Sequence, residues 1–369
     1  MSVIPNPALV ERPDAARGAI EALAAAAPLA LDTEFMRERT YFPQLALVQV
    51  ADVEGRILLI DPVGAAMRAP LAALVGAADA LMHSASEDLV AFRHALGVLP
   101  RRLYDTQIAA AFAGLGPGVG YQALVKTLLD VDLAKAETRS DWLRRPLSDQ
   151  QLSYAADDVR HLHSAVAELD RRLEQRGHRE RALADMARML DQAREDRDDP
   201  QPHLAMRPAA QFDRPSQARL RRLLRWRDRT AREKDLPKRW LLDNDIALSL
   251  ARRPPASASA LAAMLEAARA ARRLQDAIAE LLAAPMDEDE AVMPLAVDQE
   301  RADRSRLKAL QAVVAERAAA LDLPEGLLCA RRHLEALLLD GVWPTSLEGW
   351  RREVLEAPLR KAGGITTPA

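Results

Sequence analysis

The chain has 369 residues, 49% of them hydrophobic, 28% charged and only 4% aromatic, with a net charge of −3. That length exceeds one ordinary domain, and a composition rich in Ala, Leu and Arg favours helices over an all-β body. No apolar run reaches membrane-spanning length, no basic-then-apolar leader is visible, and Cys329 has no second cysteine to pair with; the expectation is a cytoplasmic protein with no membrane and no obligate protein partner.

In chain order, residues 1–195 mix strands and helices. Leu29–Phe35, Leu45–Val50 and Arg56–Ile60 read as strands, the last two joined by the turn Asp52-Val53-Glu54-Gly55. Short strands are predicted at Ala80–His83 and Leu103–Tyr104. Amphipathic helices are predicted at Ser86–Leu96 and Ser148–Leu173, the second opened by a Ser148/Gln151 capping box. A hairpin followed by strand–helix alternation implies an α/β fold, a mixed sheet flanked by helices. A linker is expected at 196–212, a helical domain at 213–284, an acidic linker at 285–297 and a second helical domain at 298–369. The two helical regions read as a degenerate repeat: Asp235-Leu236-Pro237 and Asp322-Leu323-Pro324 each end one helix and open the next.

Charge is segregated along the chain. Residues 214–239 hold eleven Lys/Arg against three acids, a local excess of +8. Polyanion binding follows local potential, so a chain of mildly negative total charge can still bind RNA. Arg221, Arg225, Arg229 and Arg232 recur at helical spacing and predict one basic face.

Leu29-Ala30-Leu31-Asp32-Thr33-Glu34-Phe35 carries the chemistry. Residues two apart on a strand share a face, so Asp32 and Glu34 point one way and Leu31, Thr33 and Phe35 the other. Paired carboxylates on a core strand repel and are costly to desolvate, and a hard divalent cation removes the conflict. In isolation Asp-x-Glu more often marks a wet edge strand. Further along, Asp88 opens a helix after a short strand, and Tyr154 and Asp158 lie four apart on one helical face, with Asp157 turned away.

Together these segments resemble the tyrosine-containing branch of the DEDD exonuclease superfamily, and ribonuclease D in particular. The match runs through Asp32-Thr33-Glu34-Phe35, Arg39-Thr40-Tyr41-Phe42-Pro43-Gln44-Leu45, Tyr104-Asp105-Thr106-Gln107, Ser140-Asp141-Trp142-Leu143-Arg144-Arg145-Pro146-Leu147 and Tyr154-Ala155-Ala156-Asp157-Asp158. The helical regions resemble the helicase-and-RNase-D C-terminal (HRDC) domain. The resemblance implies a ribonuclease-H-like exonuclease domain followed by two HRDC-type bundles. It implies a 3′-to-5′ exoribonuclease releasing 5′-mononucleotides from RNA with a free 3′ end, transfer-RNA precursors among them.

The cofactors implied are two divalent ions, Mg²⁺ or Mn²⁺ with Zn²⁺ or Co²⁺ able to substitute. Asp32, Glu34, Asp88 and Asp158 would hold them, and Tyr154 would orient the attacking water. Lys135 and Arg139 would contact RNA, Phe35 could wedge the terminal base, and Arg225 and Arg229 could guide the strand. The alternatives are a DNA-directed 3′-to-5′ exonuclease and a catalytically silent RNA-binding protein. The intact ligand set disfavours the second.

Overall fold

The structure, a computed structural model, describes residues 7–12, 18, 28–133, 140–195, 198–266, 273–296 and 304–366. The chain forms two compact units: residues 1–36, 43–196 and 309–369 make one, and residues 37–42 and 197–308 make the other.

The first unit is organised by a six-stranded mixed sheet of β1 (Ala8–Val10), β2 (Leu29–Met36), β3 (Gln44–Ala51), β4 (Ile57–Ile60), β5 (Asp79–Met82) and β6 (Arg102–Asp105), in the order β1-β4-β3-β2-β5-β6. The β2–β3 and β3–β4 pairs are antiparallel, and β1–β4, β2–β5 and β5–β6 are parallel. The expected strands are all present. Three-residue β1 is additional, too short to show a period in sequence. Around the sheet stand α1 (Arg68–Ala77), α2 (Ser86–Leu96), α3 (Thr106–Phe112), α4 (Tyr121–Leu129), α5 (Asp149–Arg160), α6 (Leu162–Arg176) and α7 (Arg179–Glu195).

Alternation on β2 sorts the core into two faces. Leu29 and Leu31 bury with Leu71, Leu74, Leu89 and Phe92 of α1 and α2. Ala30 buries on the opposite face with Leu47, Leu59, Trp142 and the α5 residues Ala155, Ala156 and Val159. Asp32 and Glu34 continue the second series toward α5.

The helix expected over 148–173 starts as foreseen, at a Ser148/Gln151 capping box, but breaks at His161. Tyr121 causes the break. Its hydroxyl accepts the His161 N–H and donates to the Asp157 carbonyl, each at 3.3 Å. It thereby replaces the backbone bond a continuous helix would make between those two groups.

In the second unit α8 (Arg214–Glu233), α9 (Lys238–Leu241), α10 (Asn244–Arg252), α11 (Ala258–Met264), α12 (Gln275–Ala283) and α13 (Glu288–Val292) enclose a separate core of Leu220, Leu223, Leu224, Leu250, Leu261 and Ile278. The chain continues through α14 (Arg304–Ala320), α15 (Glu325–Leu328), α16 (Arg331–Asp340) and α17 (Trp350–Gly363). From residue 309 this segment belongs to the unit of the sheet. Leu321, Leu323, Leu327 and Trp350 share a core with Phe112, Leu169, Leu173 and Met186. Buried Arg351 forks onto Asp185 of α7 at 2.5 and 2.6 Å.

The two Asp-Leu-Pro turns share one backbone conformation. Asp235 and Asp322 adopt left-handed φ of 48° and 53°. The N–H of Leu236 reaches Ala231 O and that of Leu323 reaches Ala318 O, each at 2.9 Å, so both helices close with the same wrap. The four-residue helices that follow are flanked on the N-terminal side by Pro237 and Pro324 and on the C-terminal side by the extended residues Leu242 (φ −158°, ψ 115°) and Cys329 (φ −156°, ψ 115°).

Candidate active site

Three carboxylates converge where β2 meets α5. Asp32, Glu34 and Asp158 each offer an oxygen within 4.8 Å of the others. The strand supplies the first two from one face. Asp158 sits in the last turn of α5, whose packing on the sheet through Ala155, Ala156 and Val159 aims it at them. Asp88 approaches from the other face of β2, in the first turn of α2, and Thr33 reaches across to donate its hydroxyl to the Asp88 carboxylate. Asp88 stands outside the tight triad yet lines the same cavity of 270 Å³, with Thr33, Phe35, His83, Glu87, Tyr121 and Tyr154.

Asp105 delivers Asp88. This fully buried carboxylate ends β6 and caps α3 by accepting Gln107 N at 2.8 Å and Ile108 N at 3.1 Å. It also accepts Ala85 N at 2.8 Å and Ser84 N at 3.3 Å, holding the loop that opens α2. Ser84 takes a left-handed φ of 58° there, a conformation a non-glycine residue keeps only under surrounding restraint.

The electrostatics are those of a site short of positive charge. Burial, then the neighbouring Asp88, Asp158 and Glu34, hold the Asp32 carboxyl well above the usual carboxylate range. Burial and the same acids push Glu34 up to about 8. Asp158 rises to about 7, chiefly by burial, although Tyr154 donates a hydrogen bond to it. Burial lifts Asp88 to about 6 against the stabilising Thr33 hydroxyl. No lysine or arginine lines the cavity among the described residues. Burial and the carboxylates raise the Tyr154 hydroxyl too, so it stays protonated and acts as a donor. A clustered set of hard oxygens, desolvated and mutually repelling, fits divalent cations of the Mg²⁺ or Mn²⁺ kind.

Of the residues expected to touch RNA, Phe35 lines this cavity while packing partly on the core of the α1/α2 face. Lys135 and Arg139 lie outside the described residues. Arg225 and Arg229 are exposed in the second unit and border a 490 Å³ cavity with Tyr41, Arg232 and Lys238. The expected four-arginine face needs correction. Arg221 is only 7% exposed and donates to Pro200 O at 3.0 Å, and Arg232 lies 3.5 Å from Asp198. Much of the local excess is consumed by backbone carbonyls. Arg219 bonds Ala251 O, Arg222 bonds Leu281 O and Ala284 O beside buried Glu290, and Arg227 bonds Leu242 O.

Sequence reasoning gave no role to Thr33, His83 or Tyr121. His83 Nδ1 lies 2.9 Å from Thr106 Oγ1, and its ring packs 5.5 Å from that of Tyr121. For Thr33 the available signal was strand alternation, which placed its hydroxyl on the side from which Asp88 arrives.

A 3′-5′ exonuclease family model matches residues 7–174, and an HRDC domain model matches residues 216–283. Ribonuclease D of Xanthomonas oryzae pv. oryzae is 49% identical over 334 residues, 90% of this chain and 92% of that protein. Ribonuclease D of Pseudomonas paraeruginosa is 38% identical, over 90% of this chain and 91% of its own length. Among solved structures, Escherichia coli RNase D, described as an exoribonuclease involved in structured RNA processing, superposes with a TM-score of 0.83 at 30% identity. That superposition covers 97% of this chain and 98% of the other.

Proposed function

The chain belongs to the ribonuclease D family and is a 3′-to-5′ exoribonuclease; we propose that it releases 5′-mononucleotides from RNA 3′ ends at two divalent cations held by Asp32, Glu34, Asp88 and Asp158. The observation that carries this reading is the convergence of four acids, Asp88 buried and the other three half-buried, from a strand and two helices, on one cavity that no lysine or arginine lines among the described residues. When bound, the cations supply activation of water and stabilisation of the departing 3′-oxygen. The side chains do the rest. Asp32, which has the other three acids around it, would hold the cations together with Glu34 and Asp158, and Asp88, steadied by the Thr33 hydroxyl, would complete their hold from the α2 side. Tyr154 keeps its proton and orients the water through its hydroxyl. Phe35 lies beside the acids, where it can stack on the terminal base.

Transfer-RNA precursors are the proposed substrates, met in the cytoplasm. On sequence grounds alone, Lys135 and Arg139 contact the RNA backbone. Arg225 and Arg229 guide the strand, and the 298–369 segment is a second HRDC-type module. The test uses labelled RNA with a free or blocked 3′ end, and single-stranded DNA, with Mn²⁺ or Mg²⁺. Free-ended RNA should shorten stepwise, blocked RNA should persist, and Asp32→Asn should abolish shortening. Degradation of blocked RNA would exclude strict 3′ exonuclease action, preference for DNA would favour the DNA-directed reading, and no degradation of any substrate would favour a binding protein.

A further inference from the structure

Gln49 lies on β3 directly opposite Asp32. It is fully buried, and neither its amide nitrogen nor its amide oxygen has a hydrogen-bond partner. Alternation puts it on the α5 face of the sheet, with Leu47 and Ala51 along its own strand and Leu59 across from it on β4. An amide stranded in such a core costs about 1–3 kcal/mol, and apolar Leu or Met would fill the same space without that cost. Buried side-chain polar atoms are nearly always satisfied, so this pair calls for a partner present in the working state.

The only polar neighbour that strand pairing assigns to it is Asp32. Side chains directly opposite on antiparallel strands have Cβ atoms about 4.5–5.5 Å apart, within reach of a glutamine amide and a carboxylate. Gln49 does not line the cavity, whereas Asp32 does, so the amide approaches Asp32 from behind the site.

We propose that Gln49 is a positioning residue: with cations bound, its amide N–H₂ donates to the Asp32 carboxylate from the core side and fixes the carboxylate's orientation toward the metals. This rests on the two-cation reading above. Partners of this kind around metal ligands typically contribute 10–100-fold to metal affinity.

The experiment measures Mn²⁺ binding by calorimetry on the full chain as wild type, Gln49→Met and Asp32→Asn, together with urea midpoints of the metal-free proteins. Gln49→Met should match or exceed the wild-type midpoint yet bind Mn²⁺ about 10–100-fold more weakly. Its RNA shortening should recover when Mn²⁺ is raised in proportion. Wild-type Mn²⁺ affinity in Gln49→Met overturns the proposal. A wild type that binds no Mn²⁺, or an Asp32→Asn that binds it as tightly, sinks the cation reading instead. If Gln49→Met fails to fold, the wild-type protein still decides. The Gln49 side-chain amide resonances, assigned through contacts to Leu59, should shift in step with Mg²⁺ saturation, and resonances that ignore Mg²⁺ overturn the proposal.

Discussion

Two concentrations of like charge lie in this chain, and they have opposite fates. In the second unit, arginines of α8 are absorbed by the protein. Arg222 forks onto buried Glu290 at 2.6 and 2.9 Å, and Arg219, Arg221 and Arg227 bond backbone carbonyls. In the first unit, the acids of β2, α2 and α5 gather around a cavity that no lysine or arginine lines among the described residues, and burial raises their carboxyls above the ordinary carboxylate range. A count of charges in the sequence ranks the arginine run as the stronger binding signal. Compensation reverses that ranking: charge left unpaired at a cost in folding marks function more surely than charge that is merely abundant.

The largest expected effect breaks the acidic side of the comparison. Asp32→Asn should lower RNA shortening about a thousandfold, the equivalent of several kcal/mol of lost transition-state stabilisation. The same change should raise the urea midpoint of the metal-free protein, because it removes a repelling carboxylate. A fall in both would mean that Asp32 is mainly structural.

Arg351→Met probes a compensated charge in the same unit. It strands Asp185, 7% exposed, without its forked partner, and should cost about 3–5 kcal/mol in denaturant unfolding. Pairing it with Asp185→Leu should recover most of that loss.

The pH profile comes next. Carboxyls raised in the folded chain bind protons that the unfolded chain, with ordinary carboxyls, has released. Metal-free stability should therefore be fullest below the usual carboxylate range and should decline as pH rises through about 6 to 8. Saturating Mn²⁺ should abolish or reverse the decline, since cation binding expels the same protons. Calorimetric melts at pH 5, 6.5 and 8 check this, and a metal-free stability that climbs with pH would contradict it.

The smallest effect belongs to the residual basic surface. Arg225→Glu with Arg229→Glu should weaken RNA binding about tenfold and flatten the log–log salt slope by about 1.4, two single-strand phosphate contacts' worth. An unchanged slope would place the arginine helix wholly on the structural side of the comparison.

Much of the site was legible in the sequence because it rests on short periods. Two-residue alternation put Asp32 and Glu34 on one face, and four-residue spacing put Tyr154 beside Asp158. The illegible parts depend on partners distant in the chain. Thr33 meets Asp88 across 55 residues, and Asp105 holds the loop before α2 from 20 residues away. Nothing near His161 announces a helix break, because the hydroxyl that breaks it comes from Tyr121, 40 residues earlier. Helical spacing placed Arg221 on a basic face, but whether a carbonyl waits for it is decided by packing. The two Asp-Leu-Pro turns foretold a repeated backbone. Which core each copy joins depends on apolar residues around it, and Leu323 and Trp350 commit the second copy to the core of α3, α6 and α7.

The central claim is that the four acids form a cation site. Crystals of the wild-type protein grown with Mn²⁺, with data collected to locate manganese by its anomalous scattering, address it most directly. The account predicts two peaks about 3.5–4 Å apart, enclosed by Asp32, Glu34, Asp88 and Asp158. A cavity without manganese, or manganese bound away from these carboxylates, would contradict it.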